Sequence, residues 1–476
     1  MTQRLIGYKD LAERSDAMPS RPLRQAVVVG ASISGLLAAR VLSDHFEQVT
    51  LIERDVLPRA PAPRKGVPQA PHAHGLLIRG RTILESLLPG LAEDLCAAGA
   101  VSIDVGREFG WYHTGGWSIQ HESELVFLSA SRALLESSIG ERVRARRNVR
   151  VLDGLRAEGL KSDPDGAVRG IRVSVPGKQR ANEEIDADLV IDATGRGSAT
   201  PQHLPELGFA APKAELLRAP VTYASCTFRR ANDRPNNQAL LISGTPGKRS
   251  GVLLPIEGSR WLVTLVSRFD EPTPQDHDAF VAFARSLPAL RLYHVIRDLE
   301  PSSEIVHHRF AGSLWRHYEQ LTRFPEGLLV LGDAVCSFNP VYGQGMTVSA
   351  IEAECLDRAL TRARDAGGID PAFAQRWFRT IQPVVDAAWS GASLEDYRFP
   401  ELAQERSVRL KLLQWYMDRL NRATFRSAAV TDQLYRVIHV LEPSGRLFRP
   451  RILAEVLFGR GVQRTPSPSD PRLHQV

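Results

Sequence analysis

Four short runs of the chain are apolar throughout: Ala26–Val29, Val49–Ile52, Leu189–Ile191 and Leu328–Leu331. Unbroken apolar runs of this length suit strands covered on both faces, as in a parallel sheet. The first run ends at Gly30, where a sharp turn is possible because no Cβ obstructs it. Ile33–Phe46 has helical composition, and Val49–Ile52 follows as a second strand ending in an acid, Glu53. The pattern predicts a β-turn-α-β unit. Beyond it, 80–98 predicts a helix broken at Pro89-Gly90, and Ser131 opens an amphipathic helix. Residues 107–128 predict strands turning at Gly115-Gly116. Residues 148–192 alternate apolar and polar, with a turn at Asp163–Gly166. From 217 to 270 strands and short turns (244–247, 257–259) predict a meander. Helices at 275–287 and 289–298, a strand at 304–310 and a long helix after Met346 come next. The chain is then helical from about 370, with a set at 405–442. The order describes a mixed α/β fold, and no internal repeat interrupts it.

Charge and composition narrow the function classes. The net charge is +6, from 60 basic and 54 acidic residues, and the basic residues are dispersed. No basic helix or block of the kind that grips nucleic acid is present, so no nucleic-acid partner is expected. No run of about 18 apolar residues predicts a spanning helix. The first 24 residues lack the apolar centre of a signal peptide and read as a polar lead-in; the end beyond Arg460 is polar and Pro-rich. Cys96, Cys226, Cys336 and Cys355 are far apart without Cys-x-x-Cys spacing, which argues against a zinc site or a disulfide framework and fits a reducing cytoplasm.

Candidate chemistry gathers at the strand ends. Backbone N–H groups of Ile33, Ser34 and Gly35 open a helix, where the dipole favours a pyrophosphate. Glu53 can accept hydrogen bonds from a ribose 2′-OH. The middle glycine of the usual G-x-G-x-x-G pattern is replaced by Ser32. Prolines at 58, 61, 63, 68 and 71 forbid a helix across 54–80, so a long stiff loop follows Glu53. Arg64, Lys65 and Gln69 on that loop, with Arg54 at its start, are candidates for phosphate or cofactor contact. His72 and His74 have no carboxylate or cysteine at ligand spacing, so no metal is expected. Arg132 is a cation at a helix start, which opposes the dipole, and holding an anion would explain it. Phe109, Trp111, His113 and Trp117 are either sheet packing or pocket lining. Tyr223, Phe228 and Leu253 on the meander are further candidates for the wall of an apolar pocket.

Three segments together carry a resemblance: Gly30–Gly35 with Glu53, the DATGRGS stretch from Asp192, and GDAVCSFNPVYGQGM at 332–346. They resemble the para-hydroxybenzoate-hydroxylase-like FAD monooxygenases over roughly residues 25–440. The RKGVPQAPHAHGLLIRG loop looks closer to the squalene-epoxidase and bacterial polyether-epoxidase branch. The resemblance implies a Rossmann-type FAD-binding domain in three parts (25–106, 131–212, 313–370). A β-sheet substrate domain (107–130, 213–312) interleaves with it, between a lead-in at 1–24 and a helical region at 371–460 with a tail at 461–476. It implies that Asp333 contacts the ribityl–pyrophosphate part of FAD, and that Pro340, Gly343, Gly345 and Met346 put a helix N-terminus at the flavin pyrimidine edge. Arg132 and Glu53 map onto FAD-contacting residues, and Gln69 lies near the flavin. The implied activity inserts one atom of O₂ into an apolar polyene or aromatic substrate through a flavin C4a-hydroperoxide. No triad is required, and no general base is assigned among His72, His74 and His113. Where NADPH-using hydroxylases carry an Asp-Gly pair after the third strand, this chain has Thr194-Gly195. That departure weakens the case for direct NAD(P)H docking and favours electrons from a separate flavin reductase or from free reduced flavin. The rival activities are a polyprenyl reductase of the geranylgeranyl type, a flavin halogenase, whose W-x-W-x-I-P motif is absent, and a non-catalytic FAD-binding protein.

Overall fold

A computed structural model describes residues 23–175, 183–230, 239–244 and 247–459. The expected lead-in (except its last two residues), the tail and the middle of the 244–247 turn lie outside them.

The apolar runs build one five-stranded sheet, parallel at every pairing. Strand β1 (Leu23–Val29) lies at its centre, between β2 (Phe46–Glu53) and Leu189–Asp192; Leu328–Val330 and Val149–Asp153 form the edges. Helix α1 (Ile33–Leu42) covers one face. Ala26, Val27, Val28, Leu37 and Leu51 are essentially inaccessible to solvent, which is why these strands read as unbroken apolar runs. The register aligns Val29 with Ile52 and with Asp192, so three strand ends with their turns meet at one edge. Ligands of open α/β sheets bind at the carboxyl ends of the strands.

The meander is a seven-stranded sheet. Strands Val221–Arg229, Arg249–Ile256 and Arg260–Arg268 form its centre, Val306–Phe310 one edge, and Phe109–His113 joins through a parallel pairing with Ala239–Ile242. Period-two alternation divides its side chains. One face carries Ala224, Cys226, Phe228, Leu253, Val263 and Leu265 and packs beneath the helices His277–Arg285 and Arg291–Ile296. The other carries Tyr223, Ser225, Thr264 and His308 and turns toward the loop 72–75. The 54–77 loop holds no helix or strand, as its prolines require. Asp163–Gly166 closes as a turn, with Gly166 N–H donating to the Asp163 carbonyl at 2.9 Å. The C-terminal helices Val408–Ala423, Ala428–Ile438 and Pro450–Phe458 share a separate small core built on Tyr416, Leu420, Val430 and Leu434.

Candidate functional site

The turn after β1 leaves no room for side chains. Gly30 has φ +102°, and a Cβ there would lie 2.5 Å from the Ala193 carbonyl oxygen. A Cβ on Gly35 would lie 1.7 Å from the Gly30 carbonyl oxygen. Ser32 caps α1 in extended conformation but makes no capping hydrogen bond with its side chain. The N–H groups of the first helical turn have no intrahelical partner, so they remain available to an anion.

Around this turn lies a buried charge network. Glu53 accepts from the Ala31 N–H at 2.8 Å and the Asp55 N–H at 3.1 Å. Its carboxylate pairs with Arg64 at 2.9 Å. Arg64 also reaches Glu136 at 2.7 Å and donates to the Ala31 carbonyl at 3.0 Å. Arg132 donates to the Ser32 hydroxyl at 2.8 Å and to Glu136 at 3.2 Å. Burial lowers the Arg132 pKa, and Glu136 opposes that shift. Arg132 is thus a cation at a helix start, compensated by Glu136 one turn later and aimed across at the glycine turn. The cleft beside it is lined by Ala31, Leu57, Val67, Ala70 and Gly140.

The second part of the site follows Leu328–Val330. Gly332, at φ +65°, donates to Glu352 at 2.7 Å, and a Cβ on it would lie 2.4 Å from the Ser34 hydroxyl. Ser34 and Ser349 hydroxyls meet at 2.7 Å, which ties the start of α1 to the helix Gly345–Asp365. Burial pushes the Glu352 carboxyl up to about 8, and its other oxygen has no partner among the described residues. Burial raises the Asp333 carboxyl, while Arg132, Arg196 and Arg316 pull it back. Gly343 takes φ +64°, so Pro340–Gly343 turns sharply into the Gly345–Asp365 helix. Gln344 precedes that helix without a side-chain cap, and its side-chain oxygen is buried without a partner among the described residues. Gly75 lies beside Gly343, at ordinary van der Waals distance: a Cβ on Gly343 would lie 3.7 Å from the Gly75 Cα.

The loop 72–75 is fixed to the meander sheet. His72 Nδ1 lies 2.7 Å from Ser225, Ser225 lies 2.6 Å from Thr264, and Thr264 accepts from the Ala73 N–H at 2.8 Å. Burial pushes His72 down to about 4 and His74 to about 3, so both are neutral at pH 7. Further along the same sheet face, Arg268 pairs with Asp396 at 3.1 Å, and both side chains are buried. Tyr342 donates to the same carboxylate at 2.5 Å. This pair pins the sheet and the glycine turn to the helix Phe373–Asp396.

The residues expected at the site divide into two groups. Gly30, Ser32, Ile33, Ser34, Gly35, Glu53, Arg132 and Asp333 gather at the strand ends, and Pro340, Gly343, Gly345 and Met346 form the adjoining turn and helix start. Gln69 is half-buried in the loop, whereas Arg54 and Lys65 are exposed. Among the wall candidates, Tyr223 lies on the loop-facing side, 5.5 Å from His72 between ring centres. Phe228 and Leu253 do not: alternation puts them on the opposite face, beneath two helices. Trp117 packs on Tyr112 beside that same cluster. Phe109 and Trp111 pack on Tyr435, and His113 hydrogen-bonds Ser118, so these aromatics face the C-terminal helices. Asp192 is consumed by its own turn, accepting from the Thr194 N–H and from the hydroxyls of Thr194, Ser198 and Thr200. Sequence reading missed Glu136, Arg196, Arg316, Gln344, Glu352 and Asp396. Only Glu136, one helical turn after Arg132, carries a local signal.

The described residues fit FAD. Two helix starts without side-chain caps face one region, glycines clear a path for backbone approach, and an acid ends β2. The profile of the family described as FAD binding domain matches residues 24–365. The protein Rv3254 of Mycobacterium tuberculosis is 34% identical over 400 residues, covering 81% of this chain and 82% of that one. Among solved structures, the flavin-dependent brominase Bmp2 is similar at TM-score 0.63 and 14% identity, over 87% of this chain and 92% of that one. PqsL of Pseudomonas aeruginosa, a probable FAD-dependent monooxygenase, is similar at TM-score 0.58 and 18% identity, over 81% of this chain and all of that one (100%). These two structural likenesses concern the fold. The chain belongs to the FAD binding domain family, within the para-hydroxybenzoate-hydroxylase-like flavin monooxygenase superfamily.

Proposed function

We propose that the protein is an FAD-dependent monooxygenase that places one oxygen atom from O₂ into an apolar polyene or aromatic substrate, by epoxidation or hydroxylation. The squalene-epoxidase and polyether-epoxidase branch is the reading that its 64–80 loop favours. The observation that carries the proposal is the uncapped helix start at Gly343–Met346, with Gly75 in van der Waals contact with it and the neutral His72 and His74 on the same loop. When bound, FAD supplies the oxygen-activating chemistry.

The residues divide that work. Ile33–Gly35 N–H groups and Arg132 would hold the pyrophosphate and Asp333 the ribityl chain; Glu53 would take the ribose by giving up its pairing with Arg64. The N–H groups at Gly345 and Met346 would stabilise negative charge at the pyrimidine edge. Neutral His72 and His74, with Tyr223, would form part of a dry wall around the bound cofactor and exclude water from it. Asp192, saturated by its own turn, leaves no acid free there for a nicotinamide cofactor. That supports delivery of electrons by a separate flavin reductase.

The experiment is oxygen uptake by the purified, FAD-loaded protein with reduced flavin supplied, comparing a polyene with an aromatic acid. Product oxygen that derives from O₂ is the expected result. Anaerobic reduction of the alkene would select the reductase reading, and halide incorporation the halogenase reading; either would overturn the proposal.

A further inference from the structure

One helix presents a face that the fold leaves uncovered. In Val408–Ala423, Tyr416, Leu420 and Ala423 enter the small C-terminal core, so the helix is anchored along one side. The side next to it carries Val408, Leu412 and Trp415, exposed by 83%, 64% and 48%. Their i, i+4, i+7 spacing puts them in one line along the helix. Single exposed apolar residues are ordinary on protein surfaces, but three large ones in one line are not. The exposed positions beside this line are Arg409, Lys411, Arg419 and Arg422. The helix has one acid, Asp418, and it is turned away into a pair with Arg398. The Arg419 guanidinium lies 4.7 Å from the Trp415 ring centre. Phe448, stacked on Tyr416 at 4.7 Å and 43% exposed, widens the apolar area next to Leu412.

We propose that this face docks on an anionic lipid surface. The helix would lie in the plane of the headgroups, with Val408, Leu412 and Trp415 entering the acyl boundary and the four cations level with the phosphates. An apolar line flanked by Lys and Arg is the arrangement that such a surface recognises. Long basic side chains bury their stems and keep their charge in the headgroup layer. Among the described residues no helix is long and apolar enough to cross a membrane, so this contact lies on the bilayer. A second copy is the weaker occupant. A two-fold pairing sets a face against itself, and here it would oppose four cations with the same four. Docking here would also bring the protein to where apolar substrates accumulate, although the lipid contact stands whatever reaction the FAD site performs.

The test is co-sedimentation of the full-length, FAD-loaded protein with phosphatidylcholine vesicles, with and without phosphatidylglycerol. Binding to the anionic vesicles, weakened by salt, is expected. Leu412→Ser with Trp415→Ser should lower the partition coefficient about tenfold or more, and so should Lys411→Glu with Arg419→Glu. All four positions are exposed, so FAD content and melting temperature should be unchanged, which separates lost docking from lost folding. Quenching of tryptophan fluorescence by brominated lipid should fall in Trp415→Phe. Failure to sediment with anionic vesicles overturns the proposal, as does binding by both double variants equal to that of the parent protein. A dimer in sedimentation velocity that the Leu412→Ser, Trp415→Ser variant converts to monomer also overturns it, because a second copy would then cover the face.

Discussion

At the scale of the residue, two positions yield sharp expectations. Gly30→Ala must hold a side chain at φ +102° with its Cβ 2.5 Å from a backbone oxygen. A left-handed backbone alone costs about 1–2 kcal/mol, and the clash adds to it. The variant should unfold at lower urea and retain little FAD, read as the 450-nm-region absorbance after gel filtration. Glu352 carries a pH signature. Its folded pKa is about 8 against an ordinary 4.5, so between these values the folded chain holds a proton that the unfolded chain has released. Its contribution to stability is therefore complete below 4.5 and is lost as pH rises toward 8. Glu352→Gln keeps an acceptor for the Gly332 N–H and cannot ionise. Urea unfolding should show the variant gaining about 1–3 kcal/mol on the parent between pH 5 and pH 8. A difference that stays constant across that range would refute the buried protonated carboxyl.

At the scale of the element, the Arg268–Asp396 pair joins the meander sheet to the end of a long helix. Removing one partner strands a buried charge, so Asp396→Ala should destabilise by about 3–5 kcal/mol. Replacing both, Arg268→Met with Asp396→Leu, should recover much of that loss, as measured by urea unfolding. If the single variant costs nothing, the pair does not hold the two elements together. The elements also show what could be read in advance. The unbroken apolar runs identified the parallel strands because both faces of that sheet are covered. The sides of the meander could not be assigned in the same way. Alternation sets Tyr223 and Phe228, five apart in one strand, on opposite faces, but only pairing register and the position of two helices decide which face meets the loop and that Leu253 lies with Phe228.

At the scale of the whole molecule, buried histidines set the acid limit. His72 and His439 are pushed down to about 4, and His74 and His113 to about 3. Below the ordinary value of 6.5 the unfolded chain takes up protons that the folded chain refuses, so stability falls as pH drops from 6.5 toward 4. Glu352 acts in the opposite sense up to about 8. The melting temperature of the protein should accordingly peak at about pH 6.5–7, a result that differential scanning calorimetry can check. Bound FAD favours the folded state by mass action. Stripping it should lower stability by about 2.7 kcal/mol relative to protein held at a hundredfold excess over Kd.

The sequence by itself determined the local chemistry of the site: the glycine turn after β1, the acid after β2, the glycine turn at 343–345, and the proline-stiffened loop. Each depends on constraints that act within a few residues, namely positive φ, a missing Cβ, an absent N–H or an apolar period. The tertiary structure decided what surrounds them. Glu136, Arg196, Arg316, Glu352 and Asp396 are ordinary charged residues along the chain, and burial together with partners up to 141 positions away gives them their roles. A charge acquires its meaning from the dielectric and the neighbours that folding assembles around it, and neither is a property of local sequence.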